Sequence, residues 1–237
     1  MALPMNVMPT YTLTIPSTQK QVKFRPFVVK DQKALLIAQA TEDLVVMLDT
    51  VKSVIESCVV DKIDVDKLAS FDIEYIFAQL RAVSVGEMVD LIFRCDTCED
   101  DKAIAKVRID LRELTVETPD GHDPKIPLFD DVGVMMKYPS LSTLKELENA
   151  AIDDIDAMFN ITADCIEYIY TSEELFYSHE QSREELLQFV NNLTADQFNK
   201  IENFFRTMPR LRQYVKYTCP VCNKEHNKYL EGLSSFF

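Results

Sequence analysis

The sequence predicts an α+β fold: a mostly helical single domain with an N-terminal β-hairpin and two zinc-knuckle hairpins that together form a split zinc ribbon. Three observations lead there. Apolar residues recur at helical steps of three and four through 31–83 and 141–208. Period-two alternation is confined to short stretches at 11–27, 88–111 and 214–230. Two C-x-x-C pairs, Cys95 with Cys98 and Cys219 with Cys222, stand at the turns of the last two stretches. No internal repeat and no glycine-serine linker divides the 237 residues, so one domain over 1–237 is expected.

The first hairpin is read from Tyr11-Thr12-Leu13-Thr14-Ile15, which alternates apolar and polar residues until Pro16-Ser17-Thr18 breaks the pattern, and Val22–Phe27 resumes it. From Asp31 the period lengthens. Leu36, Ala40, Leu44, Met47, Val51, Val54 and Cys58 lie at helical steps, predicting two helices or one bent helix. Leu68, Phe71, Tyr75, Ala78 and Ala82 predict another helix between Asp64 and Val83. Met88–Arg94 then reads as a strand, Cys95-Asp96-Thr97-Cys98 as its turn, and Ala105, Val107, Ile109 and Leu111 as one face of the return strand. Pro119, Gly121 and Pro124 mark a loop, and Val132–Tyr138 a short strand ahead of Pro139. Helix is expected over most of the remainder. Ser182 with Glu185 and Thr194 with Gln197 have capping-box spacing, and Leu193 with Phe198 the spacing of a hydrophobic staple. Phe198, Ile201, Phe204, Phe205 and Met208 form the apolar face of the helix that Thr194 starts and Pro209 ends, a face expected to pack into the core. Tyr214–Thr218 leads into Cys219-Pro220-Val221-Cys222 and a return through Tyr229 and Leu230.

A C-x-x-C turn at the tip of a hairpin points two sulfurs to one side, the bite that a tetrahedral zinc ion accepts, and a second turn completes a closed four-thiolate site. Cys95, Cys98, Cys219 and Cys222 are therefore the candidate ligands of one structural Zn2+. Pro220 stiffens the second turn, and Asn223 tolerates a left-handed backbone just after it. Roughly 120 residues separate the pairs, where a common zinc ribbon uses roughly 15 to 20. The competing readings are two pairs that never meet or that sit reduced and empty, and a thioredoxin-like redox motif. The second is disfavoured because neither pair opens a helix after a βαβ strand. His226, four positions after Cys222, is a candidate replacement ligand or a hydrogen-bond donor to a ligand.

Other polar residues point to no chemistry. Cys58 and Cys165 lie in apolar stretches and are expected in the core. His122 and His179 have no nucleophile signature beside them, and the chain lacks a phosphate loop, a nucleophile elbow and an H-E-x-x-H motif. The acidic runs Glu99-Asp100-Asp101 and Asp153-Asp154 read as solvated faces or as docking patches for a basic partner. The sequons at Asn160 and Asn192 carry no meaning in a chain that is not exported. A net charge of −14 opposes any phosphate backbone, so no nucleic-acid partner is expected. Apolar runs are too short for a membrane span, and Met1–Thr10 has neither part of a secretory signal. Phe236 and Phe237 at the C-terminus are expected either to fold back on the domain or to insert into a partner, with the partner preferred.

Several stretches carry a resemblance. They are Pro9–Thr18; Val22-Lys23-Phe24-Arg25-Pro26-Phe27-Val28-Val29-Lys30; Tyr75-Ile76-Phe77 with Leu80-Arg81-Ala82 and Ser84-Val85-Gly86-Glu87; Gly133–Pro139; and Leu230-Glu231-Gly232-Leu233 before Phe236-Phe237. Together they resemble the baseplate hub proteins of T-even-type contractile-tail bacteriophages over nearly the whole chain. The resemblance implies a non-enzymatic hub subunit or hub assembly protein, acting by binding other baseplate hub or tail proteins. It would work in the host cytoplasm during assembly and in the virion baseplate if retained. The alternative function is a zinc-ribbon regulatory factor acting on transcription or nucleic acid, which should carry a basic stripe that this sequence lacks.

Overall fold

The computed structural model describes residues 7–98, 100–149 and 155–232. In chain order the elements are β1 (Tyr11–Thr14), β2 (Gln21–Phe24), α1 (Val29–Thr41), α2 (Leu44–Cys58), α3 (Ser70–Ser84), β3 (Met88–Arg94), β4 (Ile104–Asp110), β5 (Thr115–Glu117), β6 (Lys125–Phe129) and β7 (Val132–Met136). There follow α4 (Leu141–Asn149), α5 (Ile155–Asp164), β8 (Ile166–Tyr170), β9 (Leu175–Tyr177), α6 (Arg183–Asn191), α7 (Ala195–Thr207), β10 (Arg210–Thr218) and β11 (Glu225–Glu231). Backbone contacts gather these into two compact units. The first comprises Met1–Val65, Phe71–Glu117 and Arg210–Phe237, and the second Asp66–Ser70 and Thr118–Pro209.

In the first unit β1 and β2 form the expected hairpin, with Tyr11 opposite Phe24. Its turn is tied to α3: the backbone N–H and hydroxyl of Ser17 both donate to the fully buried carboxylate of Asp72. The hairpin's other end meets the end of α2, where the Arg25 N–H donates to the Cys58 carbonyl at 2.9 Å and the Val60 N–H to that of Lys23 at 2.8 Å. Asp43 caps α2 by accepting from the Val45 and Val46 N–H groups. The buried face of α2 is Leu48, Val51, Val54, Ile55 and Cys58. On α1 the apolar spacing misleads: Leu35 and Ala38 are buried, while Leu36 is 58% exposed. Ala78 and Ala82 of α3 pack with Val89, Ile109, Leu111, Leu114, Leu211, Val215 and Leu230 into one core.

The second unit is built on an antiparallel sheet in the order β6-β7-β8-β9. Its core joins Ile126, Leu128, Val134 and Met136 from the strands to Ile161, Leu186, Val190, Ile201 and Phe204 from the helices. Gly133 is required by close approach: a Cβ there would collide with the Tyr170 hydroxyl and lie 2.6 Å from the Ile126 carbonyl. Lys200 of α7 donates to the Pro127 and Leu128 carbonyls at 3.1 and 2.9 Å, occupying acceptors on the edge strand β6. Both capping boxes form as the spacing predicts, at Ser182/Glu185 and Thr194/Gln197. Ile201 and Phe204 of the α7 face are buried, and Phe198 and Phe205 pack partly against the same cluster.

Two expectations about fold class are overturned. The chain is a mixed α/β protein, not a mostly helical one: the described residues hold seven α-helices and eleven strands arranged in four sheets. Within 141–208, expected to be helical, Ile166-Glu-Tyr-Ile-Tyr and Leu-Phe-Tyr form β8 and β9. Their β-branched and aromatic residues fit a pleated surface, and pairing with β7 outweighs the helical pattern of the flanking segments. The second correction concerns the split zinc ribbon. The two cysteine-bearing hairpins belong to separate sheets, β3-β4 alone and β11-β10-β5, so no ribbon sheet forms even though the turns come together.

Candidate metal centre

Each knuckle is the continuation of a regular hairpin. Pairing of β3 with β4 runs from Met88 opposite Asp110 to Arg94 opposite Ile104. One further bond, Cys95 N–H to the Ala103 carbonyl at 2.9 Å, carries the ladder to the first cysteine. On the other hairpin Thr218 pairs with Glu225, and Cys219 N–H donates to the Lys224 carbonyl at 2.9 Å. Asn223 closes that turn with φ 55° while its N–H donates to the Cys219 carbonyl, the left-handed conformation its residue type permits.

The four sulfurs converge. Cys95 Sγ lies 3.9 Å from Cys222 Sγ and Cys98 Sγ 3.9 Å from Cys219 Sγ, so each knuckle faces the other across both pairs. All four sulfurs lie within 4.8 Å of one another. With metal–sulfur bonds of roughly 2.3 Å, the edge of a sulfur tetrahedron is roughly 3.8 Å. A disulfide needs sulfurs at about 2.05 Å, and all six cysteines are free thiols. The donor set and its spacing therefore fit a metal ion. Cys95, Cys219 and Ala103 are buried together, Cys98 is half-buried and Cys222 is exposed, so the site has a closed and an open side.

Polar contacts differentiate the thiols. The Thr97 hydroxyl, 3.1 Å from Cys95 Sγ, is the largest influence holding that thiol well below its usual range, at about 5. Cys98 is pushed up to about 12, chiefly by the neighbouring Cys222 sulfur and then by burial. The Lys224 N–H draws Cys222 down, and the Val221 N–H points at Cys219 Sγ from 3.4 Å.

Residues that the sequence singled out less firmly fall into place around this centre. His226 is buried, with Nε2 3.3 Å from Cys95 Sγ and Nδ1 3.2 Å from Asp96 Oδ1. Its ring stacks on Tyr217 at 4.9 Å between centroids, and Tyr217 stacks on Phe93 at the same distance. The sequence alone assigns no part in this site to Asp96, Tyr217 or Phe93. A signal for the two aromatics was present: each precedes the first cysteine of its pair by two positions, and residues two apart on a strand share a face.

Elsewhere, Cys58 and Cys165 are core residues as expected, and burial pushes the Cys165 thiol up to about 12. His122 hydrogen-bonds the Thr207 and Tyr138 hydroxyls, stacks on the Tyr138 ring and lies tilted against Phe204, with its protonation disfavoured by burial. His179 is exposed beside Glu180. The tail from Leu233 to Phe237, Glu99 of the first acidic run and the Asp153-Asp154 pair lie outside the described residues.

Residues 8–237 match the family model described as T4 bacteriophage base plate protein. No curated protein and no solved structure matches the chain.

Proposed function

The chain belongs to the T4 bacteriophage base plate protein family, and from that premise we propose that it builds the central hub of the base plate, as a hub subunit or hub assembly protein. The observation that supports a base plate role is a family match spanning all but the first seven residues. Membership makes the chain a phage base plate protein whose partners are other tail proteins. The hub assignment rests additionally on the sequence stretches from Pro9 to Phe237 that resemble hub proteins. A non-enzymatic role is supported by a cysteine site with four donors, which leaves no open coordination position for substrate. The net charge of −14 supports protein rather than nucleic-acid partners. No helix among the described residues is long and apolar enough to cross a membrane.

In this reading Cys95, Cys98, Cys219 and Cys222 hold one structural Zn2+, chosen over other ions because an all-thiolate tetrahedron suits zinc. The metal ties β3–β4 to β10–β11, and its ligands Cys98 and Cys219 stand 121 positions apart in the chain. Infection with phage lacking this chain tests the hub role: the expected outcome is base plates that fail to assemble around a centre, restored when the chain is supplied from a plasmid. Normal base plates in its absence overturn the role. Mass spectrometry of purified virions beside infected-cell lysate separates a retained subunit from an assembly factor.

A further inference from the structure

Around the four sulfurs the contacts are unequal, and the inequality is concentrated on Cys95. His226 approaches its sulfur with Nε2 at 3.3 Å, and the opposite ring nitrogen faces Asp96 Oδ1 at 3.2 Å. The ring cannot rotate away without breaking its near-parallel stack on Tyr217, at an interplanar angle of 12°. Tyr217 is held in turn by Phe93 at 15°. Strand register places His226 directly opposite Tyr217, and each aromatic lies two residues before a cysteine, so three strands contribute to one platform beneath the site.

Resting on the four-thiolate reading above, we infer that His226 is a positioning residue for the metal centre, donating its Nε2–H to the Cys95 thiolate and its Nδ1–H to the Asp96 carboxylate, which orients the ring. A metal-bound thiolate has no proton to give, so the nitrogen is the donor in this contact. Four sulfurs already supply a complete tetrahedron, which leaves the imidazole outside the ligand set. Its work is to fix the direction of the Cys95 sulfur and to spread that sulfur's charge on the more closed side of the site, where His226 is 7% exposed and Cys95 4%. Outer hydrogen-bond partners of this kind are commonly worth about 10- to 100-fold in metal affinity.

Cobalt(II) loading of the full chain tests this, read both by competition with a chelator and by the sulfur-to-cobalt charge-transfer band. His226→Leu is expected to bind cobalt about 10- to 100-fold more weakly than the unaltered chain. Its charge-transfer band should move to longer wavelength, because a thiolate without its hydrogen bond gives up charge more easily, while the band's intensity stays that of four thiolates. In His226→Gln an amide N–H replaces Nε2–H, and most of both effects should be reversed; Asp96→Asn should show a smaller shift in the same direction. A merely packing role would lower thermal stability and leave the band unmoved, which overturns the inference. A changed band intensity in His226→Leu would make His226 a ligand, and also overturns it. If the unaltered chain takes up no cobalt, the metal reading itself fails and the inference with it.

Discussion

The two units reach a stable core by different routes. The first is assembled from three separate stretches of chain, and the second is almost one continuous run. In the second, buried residues from neighbouring strands and helices, Val134, Ile166, Ile201 and Phe204 among them, form one cluster without help from cysteine pairs. In the first, the stretch that holds Cys95 and Cys98 must find the one that holds Cys219 and Cys222 after a long excursion. Closing such a loop costs entropy, and a cross-link offsets it by restricting the unfolded chain. A discontinuous unit therefore gains more from a cross-link between its separate stretches than a continuous one does.

On the proposed four-thiolate reading, the largest expected effect follows removal of the metal. Cross-linking a loop of this length is worth about 4 to 5 kcal/mol by chain entropy alone. Chelation, or Cys219→Ser, should lower protection of amides in β10 and β11 against hydrogen exchange by an amount of that order and leave β7 and β8 nearly unchanged. Equal loss in both units would show that the clip does not serve the first one specifically. The converse test is Phe204→Ala, which opens a cavity in the second unit where the ring is 2% exposed. The expected cost is about 3 to 5 kcal/mol in denaturant unfolding, with cobalt uptake by the cysteine site the same as in the unaltered chain.

Within the first unit, Glu74 gives stability a pH dependence. Burial, then the charge of Glu231, raises the Glu74 carboxyl from 4.5 to about 7, with Arg210 opposing. Since the folded state holds this proton more tightly than the unfolded one, its stabilisation is fully present below about pH 4.5 and is lost as pH rises through about 7. Glu74→Gln should remove a decline on the order of 3 kcal/mol across that window, measured as the difference in unfolding free energy between the two proteins. A parallel pH profile in the variant would locate the dependence elsewhere. The smallest effect belongs to the cap of α7. Thr194→Ala should cost about 1 kcal/mol, detectable as a lowered melting temperature with no change in metal content.

Legibility in the sequence followed the range of the interactions involved. Thr194 and Gln197 announce a helix start because the partners are three residues apart, and both capping boxes form. Met88–Arg94 is a strand over the residues its alternation predicts. By contrast, the periodic reading of α1 points to Leu36, and its buried apolar residues are Leu35 and Ala38, since which side of a short helix is covered depends on what packs there. The strands β8 and β9 fall within a helical expectation because three to five residues carry too little periodicity to declare themselves without the strands they pair with, β7 for β8 and β8 for β9.

The same division applies at the metal centre. By itself the sequence determined the two C-x-x-C turns, the hairpins that present them and the left-handed closure at Asn223, because bite, alternation and turn chemistry act within a few residues. Only the tertiary structure decided that the two pairs meet with sulfurs 3.9 Å apart, that their hairpins lie in separate sheets, and that His226 stands between Cys95 and Asp96 on an aromatic platform. Those features depend on closure between residues more than a hundred positions apart and on cross-strand register, and no local pattern encodes which distant partner a side chain will face.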